Sequence, residues 1–203
     1  MTDTVVVVKL LGQGDKAMSQ TEILDINVLT LSEFENYAAF DTDFEWDRYN
    51  FAHLKAEIDR TGGKIQKIID EKSLIPNERI KPIVENNLGG YINLYYRSLK
   101  NFRDGNLLAS LMDATESIPF LLTALFAMNG RVKPYNKYLK WELTHFPLKI
   151  EIMDSSKFIN FIEKIIATGD IEIQKELFKE AKKVFVENGF TEAIDDWNGY
   201  YLG

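Results

Sequence analysis

The chain has 203 residues, 45% of them hydrophobic and 12% aromatic, enough for a substantial core in one large domain or two small ones. Its 24 Lys and Arg against 31 Asp and Glu leave a formal net charge of −7, which argues against broad, phosphate-driven nucleic-acid binding while leaving room for local basic patches. There is no cysteine, hence no disulfide, thiolate metal site or cysteine nucleophile, and the two histidines lie far apart in the chain.

Thr4 to Leu11, TVVVVKLL, and Ile23 to Thr30, ILDINVLT, are β-branched or alternating and predict two strands of a small sheet. The start of the chain lacks the basic residues and cleavage site of a signal peptide, so the expectation is a cytoplasmic protein without membrane attachment. Asp25 and Asn27 share the polar face of the second strand, where a solvated surface is the plainer reading and a ligand site the sharper one. Ser32 with Glu35 predicts a capping box for a short helix that carries Phe34, Tyr37 and Ala38 and ends near Phe40. Leu54, Ala56 and Ile58 then alternate with His53, Lys55 and Glu57, predicting a third strand ending at Asp59 with His53 on the surface. Ile65, Ile68 and Ile69 fit a short helix closing near Ser73, and Pro76 and Pro82 mark the passage into an all-helical half.

From Ile83 to Arg103 a long helix is predicted, with Ile92, Tyr96, Leu99 and Phe102 as its buried stripe and Gly89 and Gly90 as a thin spot open to another backbone. Beside that stripe Arg97, Lys100 and Arg103 advance three residues at a time. They form a basic arc able to hold phosphates, or equally a solvated face paired with acids. The stretch from Asn106 to Asn129 is apolar on every side in its second half and predicts the central helix, with Leu108, Leu111, Ile118, Leu122 and Leu125 in the core. Asp113 and Glu116 are held close to that core, across from the arc, and Pro119 should kink the helix. Its apolar run, Ile118 to Met128, falls short of the roughly 20 residues that span a bilayer. Arg131 to Phe146 predicts a helix starting near Pro134, with Lys133, Lys137 and Lys140 along one side. Two amphipathic helices follow, one carrying Phe158, Phe161, Ile162, Ile165 and Ile166 behind a Ser155 cap, the other Leu177, Phe178, Ala181, Val184 and Phe185. Gly169 separates them, Gly189 closes the second, and the tail has apolar weight enough to dock back.

Two stretches, INLYYRSLKNFRDGN from Ile92 and LFAMNGRVKPYNKYLKWELTHFPL from Leu125, resemble the helical half of bacterial nucleotidyltransferase-domain proteins related to the aminoglycoside nucleotidyltransferases. The order of strand, LTLSEFE helix, EIDRTGGKI and short helix resembles the latter part of their catalytic domain, so the likeness spans roughly Asp25 to Leu148. It implies an α+β chain: a partial nucleotidyltransferase-like α/β region over residues 1–75 and a helical bundle, resembling the substrate-binding domain, over 76–203. The family's catalytic motif, a Gly-Ser pair opening a helix and then a strand bearing Asp-x-Asp, is absent. There is no Gly-Ser dipeptide, and Asp41-Thr42-Asp43 follows the predicted strands rather than preceding them. The chain thus looks like a nucleotidyltransferase without its first catalytic strand and helix.

Carried onto this sequence, the resemblance makes Asp25 the candidate metal ligand and Glu116 the candidate general base facing an acceptor hydroxyl. It makes Lys100 a phosphate partner, with Arg97, Arg103 and Lys137 the other candidate nucleotide-binding cations. Mg2+ is implied as cofactor wherever nucleotide binding or activity is kept, and the ancestral reaction moves a nucleoside monophosphate from a magnesium-bound triphosphate to a hydroxyl of a small-molecule acceptor. Without the paired aspartates this chain is expected to be inactive alone. The competing expectation is a non-catalytic binding or partner module engaging another protein or a second copy of itself, with Glu116 merely pairing with Lys100 or Arg97. A ribonuclease reading finds little support, because no histidine closely follows Arg97.

Overall fold

The computed structural model describes the backbone of residues 4–11 and 23–195 and the side chains of residues 28–194. The described residues divide into two compact units between Lys72 and Ser73.

In the first unit, β1 (Thr4–Leu11) and β2 (Ile23–Thr30) pair antiparallel, from Thr4 opposite Thr30 to Leu11 opposite Ile23. The expected third strand does not form. His53 takes a positive φ of 60° that turns the chain, and the polar groups that a ladder would use go elsewhere. Asp59 accepts from the backbone and hydroxyl of Thr61 at 2.8 and 2.6 Å and from the Gln66 amide at 3.1 Å, while the Ala56 N–H donates to Gln66 Oε1 at 2.8 Å. The small sheet is therefore a two-stranded ribbon among the described residues. It does not assemble the partial nucleotidyltransferase sheet that the resemblance implied.

α1 (Leu31–Asn36) is opened by a capping box, but Thr30 and Glu33 make it, not Ser32 and Glu35. The Thr30 N–H donates to Glu33 Oε2 at 2.6 Å and the Glu33 N–H to Thr30 Oγ1 at 3.2 Å. α2 (Lys64–Ser73) packs Ile68 and Ile69 against Phe34, Ala38 and Phe51, with the Phe34 and Phe51 rings 5.7 Å apart. Two cations are buried beside this core. Arg48 donates to the carbonyls of Ala38 and Glu71 at 3.2 and 3.0 Å, and Lys72 donates to the Tyr37 carbonyl. Burial and the neighbouring Arg48 push the Lys72 ammonium below its usual range.

The second unit is helical: α3 (Asn77–Arg103), α4 (Leu107–Met128), α5 (Leu139–His145), α6 (Ser155–Thr168), α7 (Ile171–Glu187) and α8 (Thr191–Asp195). α3 starts directly after Pro76, and Pro82 lies inside it, exposed near the start, rather than punctuating a linker. α4 runs unbroken through Pro119. Counted whole it is 22 residues long with a mean hydropathy of 1.3 in its best 18-residue window, sufficient by length and composition to cross a membrane, and 61% of that window is buried within the molecule. Sequence reasoning had weighed only its second half.

α3 and α4 pack antiparallel about the short turn at Asp104 and Gly105, and their contact revises the expected core. Ile118, Leu122 and Leu125 are buried as the pattern required, but Leu108 is 73% exposed and Leu111 only partly covered. In the first half of α4 the buried face is small and polar instead: Ser110, Asp113, Ala114 and Ser117. The cause is close approach. Ser98 Oγ donates to the Ser110 carbonyl at 3.0 Å, and further along the Phe120 ring lies directly on Gly90, 2.6 Å from where a Cβ would stand. The thin spot thus admits a ring rather than a backbone. On α3 the buried face is Val84, Leu88, Tyr91, Ile92, Leu94, Tyr95 and Ser98, so of the predicted stripe Ile92 is buried while Tyr96, Leu99 and Phe102 lie on its margin. Tyr95 stacks on Phe178 of α7 with centroids 4.4 Å apart, which fixes that rotation.

The expected helix from Pro134 is shorter. Arg131 pairs backbone groups with Leu74 in an isolated bridge, Pro134 is buried ahead of a 3-10 turn at Asn136–Tyr138, and α5 begins only at Leu139. α6 is capped by Asp154, one residue before the expected Ser155, through bonds from the Ser156 and Lys157 amides. Phe158, Phe161, Ile162 and Ile165 are buried on it, but Ile166 is 47% exposed. On α7 Leu177, Phe178, Ala181 and Phe185 are buried, and α8 buries Ile194. The tail beyond residue 195 lies outside the described residues.

Candidate functional site

The basic arc on α3 does not act as one unit, because a helix turns about 100° per residue and three-residue steps drift around its surface. Arg97 faces α4. Its Nη2 is 3.1 Å from Asp113 Oδ1, and the other carboxylate oxygen accepts from Asn101 Nδ2 at 2.8 Å. The predicted opposition of arc and acids thus exists for Arg97 and Asp113. Glu116 is exposed and makes no ion pair with Arg97 or Lys100.

Lys100 and Arg103 instead border a groove of about 750 Å3 on the other side of α3. α3 supplies Tyr96, Leu99, Lys100, Phe102 and Arg103; the junction of α6 and α7 supplies Thr168, Gly169, Asp170, Ile171, Glu172 and Lys175. The predicted stripe that failed to become core is the wall of this groove. Across from it, Gly169 ends α6 at φ 63° beside Leu111 of α4, whose Cδ1 and Cα would stand 3.3 and 3.5 Å from an added Cβ. Asp170 then caps α7 by accepting from the Ile173 amide at 3.0 Å, so the positive end of a 17-residue helix opens onto the groove.

The charges there are mixed but ordered. Lys175 is 3.0 Å from Glu172, and Arg103 is 2.9 Å from Asp104, an exposed pair in which the guanidinium holds the Asp104 carboxyl below its usual range. Burial, with a smaller contribution from Glu172, raises the Tyr95 phenol behind the wall to about 12. Tyr96 and Phe102 give the groove aromatic sides, and Leu99 and Ile171 an apolar lining. Three cations, two rings and a helix N-terminus can hold a phosphate-bearing ligand with a flat organic part.

Lys137, the remaining cation of the sequence reading, is elsewhere: it sits on the 3-10 turn before α5, with Nζ 5.7 Å from the Tyr138 ring centroid. Asp25 lies on β2 opposite Lys9, and its side chain is outside the described residues. Among the described residues no three His, Asp or Glu side chains are grouped to hold a metal ion. Asp113 and Glu116 do not fit a magnesium site, since Asp113 is engaged by Arg97 and Asn101 while Glu116 stands apart and exposed.

Sequence reasoning missed Lys175 and Glu172, although Gly169-Asp170 between two amphipathic patterns already marked a helix start at that point. It also missed Arg131 with Glu142, a pair whose carboxylate is buried and whose half-buried arginine further donates to the Phe146 carbonyl at 2.7 Å. No family model, curated protein or solved structure matches the chain.

Proposed function

We infer that the chain is a non-catalytic relative of the nucleotidyltransferases, a cytoplasmic binding module that holds the phosphates of a nucleoside triphosphate in the groove between α3 and the α6–α7 junction. The observation that carries this reading is the convergence of Lys100, Arg103 and Lys175 on one groove that Tyr96 and Phe102 also line. Ancestry rests on the sequence resemblance of the helical half. Absence of transfer follows from the missing paired aspartates: developing charge at the transferred phosphorus would lack the electrostatic stabilisation on which the reaction depends, a loss of several kcal/mol of barrier.

Thermal unfolding with a nucleoside triphosphate, with and without magnesium, tests the reading. Ligand at about 100 times its Kd adds roughly 2.7 kcal/mol to the folded state and so raises Tm. Because protein cations rather than carboxylates hold the phosphates, the rise is expected without magnesium and is expected to vanish in the Lys100→Ala/Lys175→Ala double variant. Labelled nucleotide should reach no acceptor. Absence of any Tm rise in the unaltered protein defeats the binding reading; transfer that Asp25→Asn abolishes defeats the non-catalytic one.

A further inference from the structure

A second surface, far from the groove in composition and sharing none of its residues, lies on and just before α5. Residues 131–149, RVKPYNKYLKWELTHFPLK, carry five lysines and arginines but one carboxylate, in a chain whose net charge is −7. That carboxylate, Glu142, is only 1% exposed and pairs with Arg131, Lys133 is half-buried, and Lys137, Lys140 and Lys149 are the exposed cations. The α5 turn then sets rings among them. Trp141 and His145, four residues apart, stack with centroids 5.0 Å apart and planes at 26°, and a contact of 2.9 Å between His145 Nδ1 and the Trp141 carbonyl orients the imidazole. Phe146 meets the edge of Trp141 at 5.5 Å, and Tyr138 lies beneath the Lys137 ammonium. Tyr138, Trp141 and Phe146 are 37%, 45% and 38% exposed. Lys140, on the same element, reaches Glu163 only at 4.0 Å and is 77% exposed.

Partly exposed rings beside exposed ammonium groups match one occupant above others. Every unpaired base offers a flat π-face to stack on, and the phosphates that link bases meet the lysines; a duplex hides those faces, and a lipid surface would favour rings projecting singly rather than stacked on one another. We propose that the strip formed by Lys137, Tyr138, Lys140, Trp141 and His145 binds single-stranded nucleic acid, about two or three nucleotides at a time. So small a footprint is compatible with the acidic chain as a whole, because attraction needs only the local field within about 10 Å at 0.1 M salt.

Fluorescence anisotropy of a fluorescein-labelled single-stranded oligothymidylate, titrated with the full chain at low salt, tests this. Saturable binding is expected, weakened about tenfold by Trp141→Ala and largely recovered in Trp141→Phe, because stacking needs a ring. Lys137→Ala with Lys140→Ala is expected to weaken binding and to flatten the salt dependence by about 0.7 per lysine removed. Lys183→Ala, exposed on α7, serves as the charge control and should change nothing. An abasic strand of equal length should bind about tenfold more weakly than the oligothymidylate. Circular dichroism confirms folding of each variant, and if Trp141→Ala fails to fold, the lysine double variant and the abasic strand decide. The proposal is overturned if the unaltered chain shows no saturable binding, if the abasic strand binds equally, or if vesicles of phosphatidylserine and phosphatidylcholine are bound where the oligonucleotide is not.

Discussion

Arg97 and Asp113 meet across the α3–α4 pair at 3.1 Å, but the two ends of the bond are not equivalent: the Asp113 side chain is 6% exposed and that of Arg97 56%. Removing the arginine leaves a buried carboxylate with Asn101 alone, whereas removing the carboxylate leaves a guanidinium that water can solvate. Arg97→Ala is therefore expected to destabilise the protein by about 1–3 kcal/mol and Asp113→Asn by less, read as a fall in urea midpoint at unchanged slope. Since Arg97 faces α4 and not the groove, Arg97→Ala should keep the Tm rise given by triphosphate. Loss of that rise would return Arg97 to the ligand site.

Neighbouring glycines on α3 give opposite expectations. Nothing lies within 4 Å of a Cβ at Gly89, so Gly89→Ala should gain the helical preference of alanine, about 0.5–1 kcal/mol. At Gly90 the new methyl would meet three atoms of the Phe120 ring at 2.6 to 3.1 Å, and Gly90→Ala should lose about 1 kcal/mol or more despite the same preference. Equal melting temperatures for the two variants would show that the ring swings aside without cost.

Glu142 is 1% exposed and pairs with the half-buried Arg131, an ion pair costly to break from the arginine side. Arg131→Met should destabilise by about 3–5 kcal/mol, because the buried carboxylate loses its cation, and adding Glu142→Leu should recover part of the loss. A double variant no more stable than Arg131→Met would show that the carbonyl contacts of the arginine, not the charge pair, carry its contribution.

Alkaline stability follows from the phenols. Tyr37 is raised to about 12 by burial and then by its bond to Asp47, Tyr95 to about 12 chiefly by burial, and Tyr91 is raised further by burial. In the unfolded chain each ionises near pH 10, so between pH 10 and 12 the folded state holds protons that the unfolded state has lost. Their contribution is complete below pH 10 and disappears as pH climbs towards 12. Absorbance titration should show part of the nine tyrosines ionising normally and the rest only with unfolding. Ionisation of all nine near pH 10 in folded protein would refute the burial of these three.

The helical half was legible because a sequence such as LLTALFAM, apolar on nearly every side, must be shielded from water. What misled was the first half of α4, where Leu108 and Leu111 look like core but are 73% exposed and only partly covered. Counting large apolar side chains rewards volume, while a close helix pair selects small ones; Ser110, Ala114 and Ser117 at four- and three-residue spacing were the better guide. The same bias assigned Tyr96, Leu99 and Phe102 to the core and so hid the groove they line. In the first unit alternation alone suggested a strand at Leu54 to Ile58, but the Gln66 side chain captured the Ala56 N–H and Asp59 folded the chain onto Thr61 just beyond. Local polar competition of that kind leaves no periodic trace.

Gly169 ends a helix, forms part of the groove and lies beside Leu111 of the central helix. The wall that a ligand would touch is thereby braced on the most deeply packed element of its unit. Such a cleft is preformed. Association with it should proceed in a single concentration-dependent phase, limited by encounter and by displacement of water, with no slower step in which protein closes around its guest.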